Sequence, residues 1–533
     1  MANPLQTKDD QWRHRRENGS VPVFDPGARI DRCIESLLGQ SLSAAEYEVV
    51  FVDDGSTDGT GERLEELAAQ YAHVTTVRIP NSGWPGRPRN VGIDTARGEF
   101  VYFVDHDDWI GPEALERLYA TAIADDADIV IGKVVGHDKA VPRSLFRENV
   151  HDLGLRAAPF NLLTPHKLFR RALLVEHGIR FPEGRRRLED HMMVVPAYFK
   201  ARRMAILADY PCYHWVNWTQ GANASYAAPE PADYYADVRE VLDVVDAHTE
   251  PGEFRDTLYG RWYRGKLLGR LGRNAFVERP EEHRRRVLDE VATLIDERFP
   301  PRLDAALVHN FRLRAALARR RDYDGLVALA ELERDLRASA RIRSYRGDGT
   351  WMTLELECWL RDEEHAPLSF ARRDGRILWL APEPLRAALR PEELDVTDEL
   401  GNGRMQLLLS RAGDETDWLV PAEPRLDVPE APDGEPVRPA IAATARIAPT
   451  IGAAGRPLEP GDYELRAIIW IAGFSAHSLT RRGKGTFGLT VTPEGRVYRA
   501  GAVPEPPPPP TPRQRLGRLV RRTRGPRAAR AAR

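Results

Sequence analysis

Three acidic clusters in this chain follow short apolar runs or open an apolar helix, and each offers groups that could do chemistry. The run Phe100 to Val104 leads into Asp105-His106-Asp107-Asp108. Carboxylates at i and i+2, held in a loop after a buried strand, can grip a hard divalent cation such as Mn2+ or Mg2+. Such a cation, held by Asp105 and Asp107, would neutralise a diphosphate leaving group. The same aspartates also suit the plainer task of opening the helix that starts near Pro112, and a hard oxygen site does not need His106, which reads as a spacer. The run Glu48 to Val52 leads into Asp53-Asp54-Gly55-Ser56. A carboxylate at that strand end can accept hydrogen bonds from a base edge or a ribose, or simply cap a turn. Asn81 to Asn90 is a loop fixed by Gly and Pro, with Arg87 and Arg89 offering planar forks for phosphate or a sugar hydroxyl. The third cluster, Glu189-Asp190, precedes an apolar helix; taken alone, complementing the helix dipole explains it best.

These groups need a scaffold. Glu48–Val52, Val74–Ile79 and Phe100–Val104 read as buried strands, while Ile30, Cys33, Ile34, Leu37 and Leu38, and then Leu64, Leu67 and Tyr71, recur at helical spacing. Strand–helix–strand alternation of this pitch predicts an α/β layer with a largely parallel sheet, whose ligands sit at the carboxyl ends of the strands. From Asp233 to about Arg341 the pattern is helical, with many Arg/Glu pairs. After Ile342 come short strands divided by Gly, Pro and Asp turns, among them TWMTLELECWL, RMQLLL and DYELRAIIWIAGF, the signature of antiparallel β-sandwiches. The expected domains are thus 1–230 (catalytic), 231–341 (helical linker), 342–420 and 440–502 (two small sandwiches split by the Pro- and acid-rich stretch Pro421 to Pro439), and 503–533 (proline spacer and basic tail).

A length of 533 residues exceeds a single core. Net charge of −3 argues neither for nor against an anionic partner, and no nucleic-acid partner is expected. Cys33, Cys212 and Cys358 are odd in number and far apart, so neither a disulfide framework nor a zinc site is expected, in keeping with a reducing cytosol. No apolar signal-peptide core follows the N-terminal charges, and no run is long enough to span a bilayer. The expected location is the cytoplasm. The tail RQRLGRLVRRTRGPRAARAAR has nine arginines and no acid. It could rest on anionic lipid at the inner face of the plasma membrane or on an anionic polymer, or act as a disordered, solubilising tail.

Taken together, a strand-end Asp, a later D-x-D and a distant Glu-Asp form the pattern of family 2 glycosyltransferases of the GT-A fold. NSGWPGRPRNVG, RGEFVYFVDHDDWI, VPRSLFRE, TPHKLFRRALLVEHGIRFPE and LEDHMMVVPAYFKA resemble, in order and spacing, the bacterial poly(ribitol-phosphate) N-acetylglucosaminyltransferases of wall teichoic acid. The resemblance is dense over residues 20–215. It implies a GT-A domain, a helical linker and immunoglobulin-like C-terminal sandwiches that trimerise. It also implies inverting, metal-dependent transfer of a hexose, GlcNAc from UDP-GlcNAc, onto an anionic polyol-phosphate wall polymer. Residue by residue, it implies that Pro22 and Asp54 contact uridine, Asn81 and Arg89 line the donor site, and Asp105 and Asp107 hold the metal and diphosphate. Asp190 would be the base with Glu189 beside it, and Lys167 would shape the sugar or acceptor pocket.

Two departures stand out. The strand expected before Pro22 reads RRENGS, a poor central strand that implies a shortened or lost β-strand, and Asp25 replaces the usual Asn. HWVNWTQGANASY lacks the Arg and His expected near the diphosphate, for which His214 is the available substitute. Three other readings therefore stay open: a non-catalytic polymer-binding scaffold, a nucleotidyltransferase, and a glycosyltransferase for another surface polysaccharide. Against the nucleotidyltransferase, no glycine-rich phosphate loop lies near the N-terminus.

Overall fold

The computed structural model describes residues 17–218, 229–361, 368–400, 403–483 and 485–502. The proline spacer and arginine tail, and most of the segment after Trp218, lie outside the described residues.

The N-terminal layer is an eight-stranded sheet of β1 (Glu17–Val23), β2 (Tyr47–Asp53), β3 (Val74–Arg78), β4 (Phe100–Phe103), β5 (Trp109–Ile110), β6 (Ile129–His137), β7 (Leu168–Arg170) and β8 (Met204–Val216), in the order β3-β2-β1-β4-β7-β6-β8-β5. The half from β3 to β4 is parallel, β6 and β8 are also parallel, and β7 and β5 run against their neighbours. Helices α1 (Asp31–Leu38), α2 (Thr60–Gln70), α3 (Gly86–Thr95), α4 (Ala114–Ala124) and α5 (Glu189–Lys200) cover it. Apolar stripes such as Cys33, Ile34 and Leu37 on α1 explain which faces they bury.

The expected loss of the first strand is corrected. ENGSVPV forms β1, wholly buried and paired in parallel with both β2 and β4. Its polar side chains are accommodated individually, which propensity does not foresee. Asn18 donates to Glu48 Oε1 at 2.8 Å, and that carboxylate also accepts the Arg97 and Gly98 N–H groups. Burial pushes the Glu17 carboxyl well above the usual range, toward its neutral form. Ser20 is small enough for α3 to press on the strand; a side-chain carbon at Gly92 would lie 1.9 Å from Ser20 Oγ. Asp25 occupies the left-handed region (φ 39°), tolerated by short Asx side chains, and accepts the Thr57 N–H at 2.7 Å. It thereby ties the loop after β1 to the loop after β2.

A helical segment follows, with α6 (Pro231–His248), α7 (Glu253–Trp262), α8 (Glu281–Arg298), α9 (His309–Arg319) and α10 (Tyr323–Asp335). Between α7 and the next turn, Tyr263–Leu267 is π-helical, a rare geometry frequent at functional sites. The segment grips the N-terminal layer beside α5: Trp262 Nε1 donates to His191 Nδ1 at 3.1 Å, Arg187 N–H donates to Asp237, and Arg186 pairs with Glu240.

The C-terminal region is β-rich: β9 (Arg337–Gly347), β10 (Met352–Arg361), β11 (Phe370–Arg373), β12 (Arg376–Trp379), β13 (Arg404–Arg411), β14 (Asp417–Val420), β15 (Ala422–Asp427), β16 (Pro436–Val437), β17 (Ala440–Ile447), β18 (Gly461–Ile471) and β19 (Phe474–Arg482). Its main path runs β14-β13-β18-β19-β9-β10-β17-β15. The expected division into sandwiches at 342–420 and 440–502 does not match this pairing. Strands from the two segments pair with each other, β10 with β17 and β13 with β18, and the Pro-rich stretch itself supplies β15. Pro424 is tolerated there because β15 ends the path, so its missing N–H costs no ladder bond on the free edge. The region docks on the N-terminal layer through Lys133 of β6, which donates to the Asp417 carbonyl at 2.7 Å and lies 4.0 Å from the Trp418 ring centre.

Candidate active site

The carboxyl ends of β1, β2 and β4 open on a cavity of about 470 Å3, closed on its far side by the start of α5 and by the helical segment. Pro22 and Asp54 line it; Asp54 accepts Ser82 N–H at 2.9 Å and Ser82 Oγ at 2.8 Å, which fixes its carboxylate at the strand end. Asn81 does not line it. Its place is taken by Gly83 and Trp84 of the same loop, while Asn81 packs its backbone against Gly55.

Arg89 is the hub. Carried on α3 and almost fully buried, it donates to Asp105 at 2.8 Å and to Glu189 at 3.1 Å, joining the loop after β4 to the start of α5. Burial opposes its charge, but Asp105 and Glu189 outweigh burial and raise its pKa. Asp105 also accepts from His166 Nε2 at 3.1 Å; burial works against its ionisation, yet Arg89 and His166 hold it well below the usual carboxylate range. Asp108 is committed to structure, accepting Tyr213 OH at 2.6 Å and Val216 N–H at 2.8 Å. Asp107 lines the cavity with no hydrogen bond to its carboxylate among the described residues, and His106 bonds the Pro22 carbonyl at 3.1 Å, linking two strand ends.

The donor set fits a divalent cation. Ligand atoms of Asp105, Asp108 and His166 lie within 4.8 Å of one another, with the uncommitted Asp107 adjacent in the chain. Carboxylate oxygens with one imidazole suit Mn2+, and oxygens alone suit Mg2+.

Glu189 and Asp190 sit at the N-terminus of α5, after Leu188 in the left-handed conformation (φ 61°). Their surroundings differ. Glu189 is tied to Arg89, whereas Asp190 accepts among the described residues only the adjoining His191 N–H. Burial, then the Glu189 charge, pushes Asp190 up to about 6, against the pull of Lys266 and Arg89.

Lys167 does not reach the cavity. It is fully buried, donates to the Thr164 carbonyl, and is pulled down to about 7 by burial, while its neighbour His166 occupies the cavity wall. His214 is likewise turned away, stacked on Trp109 at 5.0 Å and bonded to His137 at 3.0 Å. In its stead Lys139 and Trp215 line the cavity, the ammonium 3.7 Å from the indole centre and facing Asp108, Asp105 and Asp107. Sequence reasoning missed these and also Tyr234, Lys266 and Arg270 of the linker. The choice between His166 and Lys167 is one that a loop sequence does not encode, and the choice between His214 and Trp215 on β8 depends on pairing with β5, which sets His214 opposite Trp109. The linker residues carry no motif, and only tertiary packing brings them to the site.

A nucleoside-ready carboxylate, an acidic cluster and a buried arginine at the strand ends of such a sheet are the parts of a GT-A glycosyltransferase domain. Residues 20–210 match the glycosyl transferase family 2 domain and residues 231–330 match the glycosyl transferase TarS linker domain. Residues 20–210 thus form a family 2 glycosyltransferase domain of the GT-A fold, followed by a TarS-type helical linker and a β-rich C-terminal region.

It is 30% identical over 320 residues to a poly(ribitol-phosphate) beta-glucosyltransferase of Bacillus spizizenii, covering 60% of this chain and 50% of that protein. It is 34% identical over 238 residues to poly(ribitol-phosphate) beta-N-acetylglucosaminyltransferase TarS of Staphylococcus aureus, covering 43% of this chain and 41% of that one. The chain thus spans about half the length of the curated relatives it matches. The crystal structure of S. aureus TarS 1-349 with UDP-GlcNAc is similar at a TM-score of 0.54 and 26% identity, covering 69% of this chain and 97% of that one.

Proposed function

We infer that this chain transfers a hexose, GlcNAc from UDP-GlcNAc, with inversion to a hydroxyl of an anionic polyol-phosphate wall polymer. The observation that carries the reading is the bridge by Arg89. It occupies Asp105 and Glu189 together, leaving Asp190 as the carboxylate free to take a proton. Asp54 and Pro22 receive the uridine, and Asp105 and Asp107, with His166 beside them, would hold the cation. When bound, that cation supplies positive charge to the diphosphate leaving group. Arg89 and Lys139 add fixed cationic charge on the same side. Asp190 accepts the acceptor hydroxyl's proton as the oxygen attacks the anomeric carbon.

Lys266, Arg270 and Arg187 place cationic side chains on Asp190's side of the cavity, which suits a phosphate-bearing acceptor. The names of the relatives specify beta products, and a beta product from an alpha-linked nucleotide sugar requires inversion. An intact β1 also removes the main reason for reading the domain as non-catalytic.

The test is a panel of UDP-GlcNAc, UDP-glucose and UDP-galactose against ribitol- and glycerol-phosphate oligomers with Mn2+, read by mass spectrometry. One N-acetylhexosamine added per step, from UDP-GlcNAc alone, supports the reading; a hexose added from UDP-glucose moves the donor assignment, and no addition to any oligomer overturns it.

Two parts of the proposal concern the whole chain. The β-rich region is expected to hold a trimer, and light scattering should give three times the chain mass for 1–533; a monomer sinks that part. The tail at 513–533 is expected to hold the enzyme at the cytoplasmic face of the membrane, and salt-sensitive vesicle co-sedimentation that vanishes on its removal checks this.

A further inference from the structure

A second, smaller cavity of about 90 Å3 lies in the linker between α6 and α8. Tyr234 and Arg270 line both cavities, so the two share a wall. Around the smaller one stand Arg270, Arg279, His283 and Arg284, over a floor that includes Tyr235, Phe276 and Val287, and no acidic residue lines it. The Arg284 Nε is buried without a hydrogen-bond partner among the described residues. Arg270 stacks on Tyr234, its guanidinium 4.0 Å from the ring centre, and no carboxylate among the described residues pairs with it. His283 is held below its ordinary pKa by burial and then by Arg279 and Arg286, against the pull of Glu230, which pairs with Arg286. Arginines around a small concavity, one with a buried unsatisfied Nε–H and one exposed, are the chemistry that recognises a phosphate group, and the volume suits one phosphate, not a nucleotide or a polymer repeat.

We propose that this pocket binds a phosphodiester of the acceptor chain, one or more repeats away from the hydroxyl being glycosylated in the main cavity. The inference rests on the polyol-phosphate acceptor proposed above. Adjacency of the two cavities across Tyr234 and Arg270 sets a second phosphate of one chain beside the first site, a placement that a free anion does not need. The pocket would draw in longer chains and hold them during repeated transfer, without touching the reacting atoms.

The experiment measures transfer by full-length enzyme to polyol-phosphate oligomers of increasing length, with wild type, Arg279→Glu and Arg279→Ala/Arg284→Ala. Arg279 is exposed, so its substitution leaves folding intact. Wild type should show a KM that falls as the oligomer lengthens. Both variants should lose that gain, on the order of tenfold or more for the longest oligomers. Their kcat, their KM for the shortest oligomer and their UDP-sugar hydrolysis should match wild type.

Wild type with a KM independent of length, or an Arg279→Glu enzyme that keeps the full gain, overturns the pocket while leaving the transfer reaction standing. Wild type that glycosylates no polyol-phosphate overturns the reaction and the pocket together. An Arg279-dependent attachment to phosphatidylglycerol vesicles, with no length effect, would assign the pocket to a lipid headgroup and overturn the proposal.

Discussion

The two sides of the main cavity use the same residue type in opposite ways. On the side proposed for the leaving group, Asp105 is paired with a buried arginine and a histidine and stays ionised. On the side proposed for the acceptor, Asp190 accepts among the described residues only the His191 N–H, and burial and then Glu189 push it up to about 6. Environment, not identity, separates a carboxylate that holds its charge from one proposed to move a proton. Arg89 enforces the difference, because it ion-pairs with Glu189 and Asp105 and makes no such pair with Asp190.

The largest expected effect comes from removing the basicity on the acceptor side. Asp190→Asn should lower turnover roughly 10²–10⁴-fold while UDP-sugar affinity changes little. Steady-state kinetics decide it, and near-normal turnover places the base elsewhere. Next is pH. As a base raised to about 6, Asp190 must be deprotonated to work, so kcat should level off above that pH and fall toward about tenfold per unit below it. In Asp190→Asn that acidic limb should vanish; a limb that persists belongs to another group.

The donor side should respond differently. Asp107→Asn should weaken Mn2+-dependent UDP binding by roughly 10- to 100-fold, measured by calorimetry, without moving the acidic limb. Smallest in catalytic consequence is a change beneath both sides. Gly92→Ala drives a carbon into Ser20 on β1 and should cost about 1–3 kcal/mol of stability, seen as a lower Tm, with modest effect on kcat. An unchanged Tm would mean that β1 and α3 do not press together as described.

The two sides also differ in how legible they were. Asp54 and Asp105 could be read from the sequence because strand ends in an α/β layer have a fixed relation to the ligand, and apolar runs announce those ends. β1 could not, because ENGSVPV forms a strand only where Glu48 meets Asn18 and α3 leaves room for Ser20. Lys167 stood in for His166 because a loop gives no periodicity to decide which neighbour faces inward. The acceptor wall was the least legible. Tyr234, Lys266 and Arg270 come from helices and a π-helical turn whose Arg/Glu pattern resembles any solvated face, and nothing local marks them. In the C-terminal region, strand content was readable and partner choice was not, since pairing such as β10 with β17 is set by long-range closure.

Stereochemistry at a defined acceptor tests the proposed transfer most directly. Full-length enzyme incubated with Mn2+, UDP-GlcNAc and a polyol-phosphate oligomer, followed by proton NMR of the oligomer, reports both at once. The expected result is a single new anomeric signal with the large coupling of a β-linkage on the polyol, absent when Asp190 is Asn. An α-linked product, or free GlcNAc with an unmodified oligomer, would contradict it.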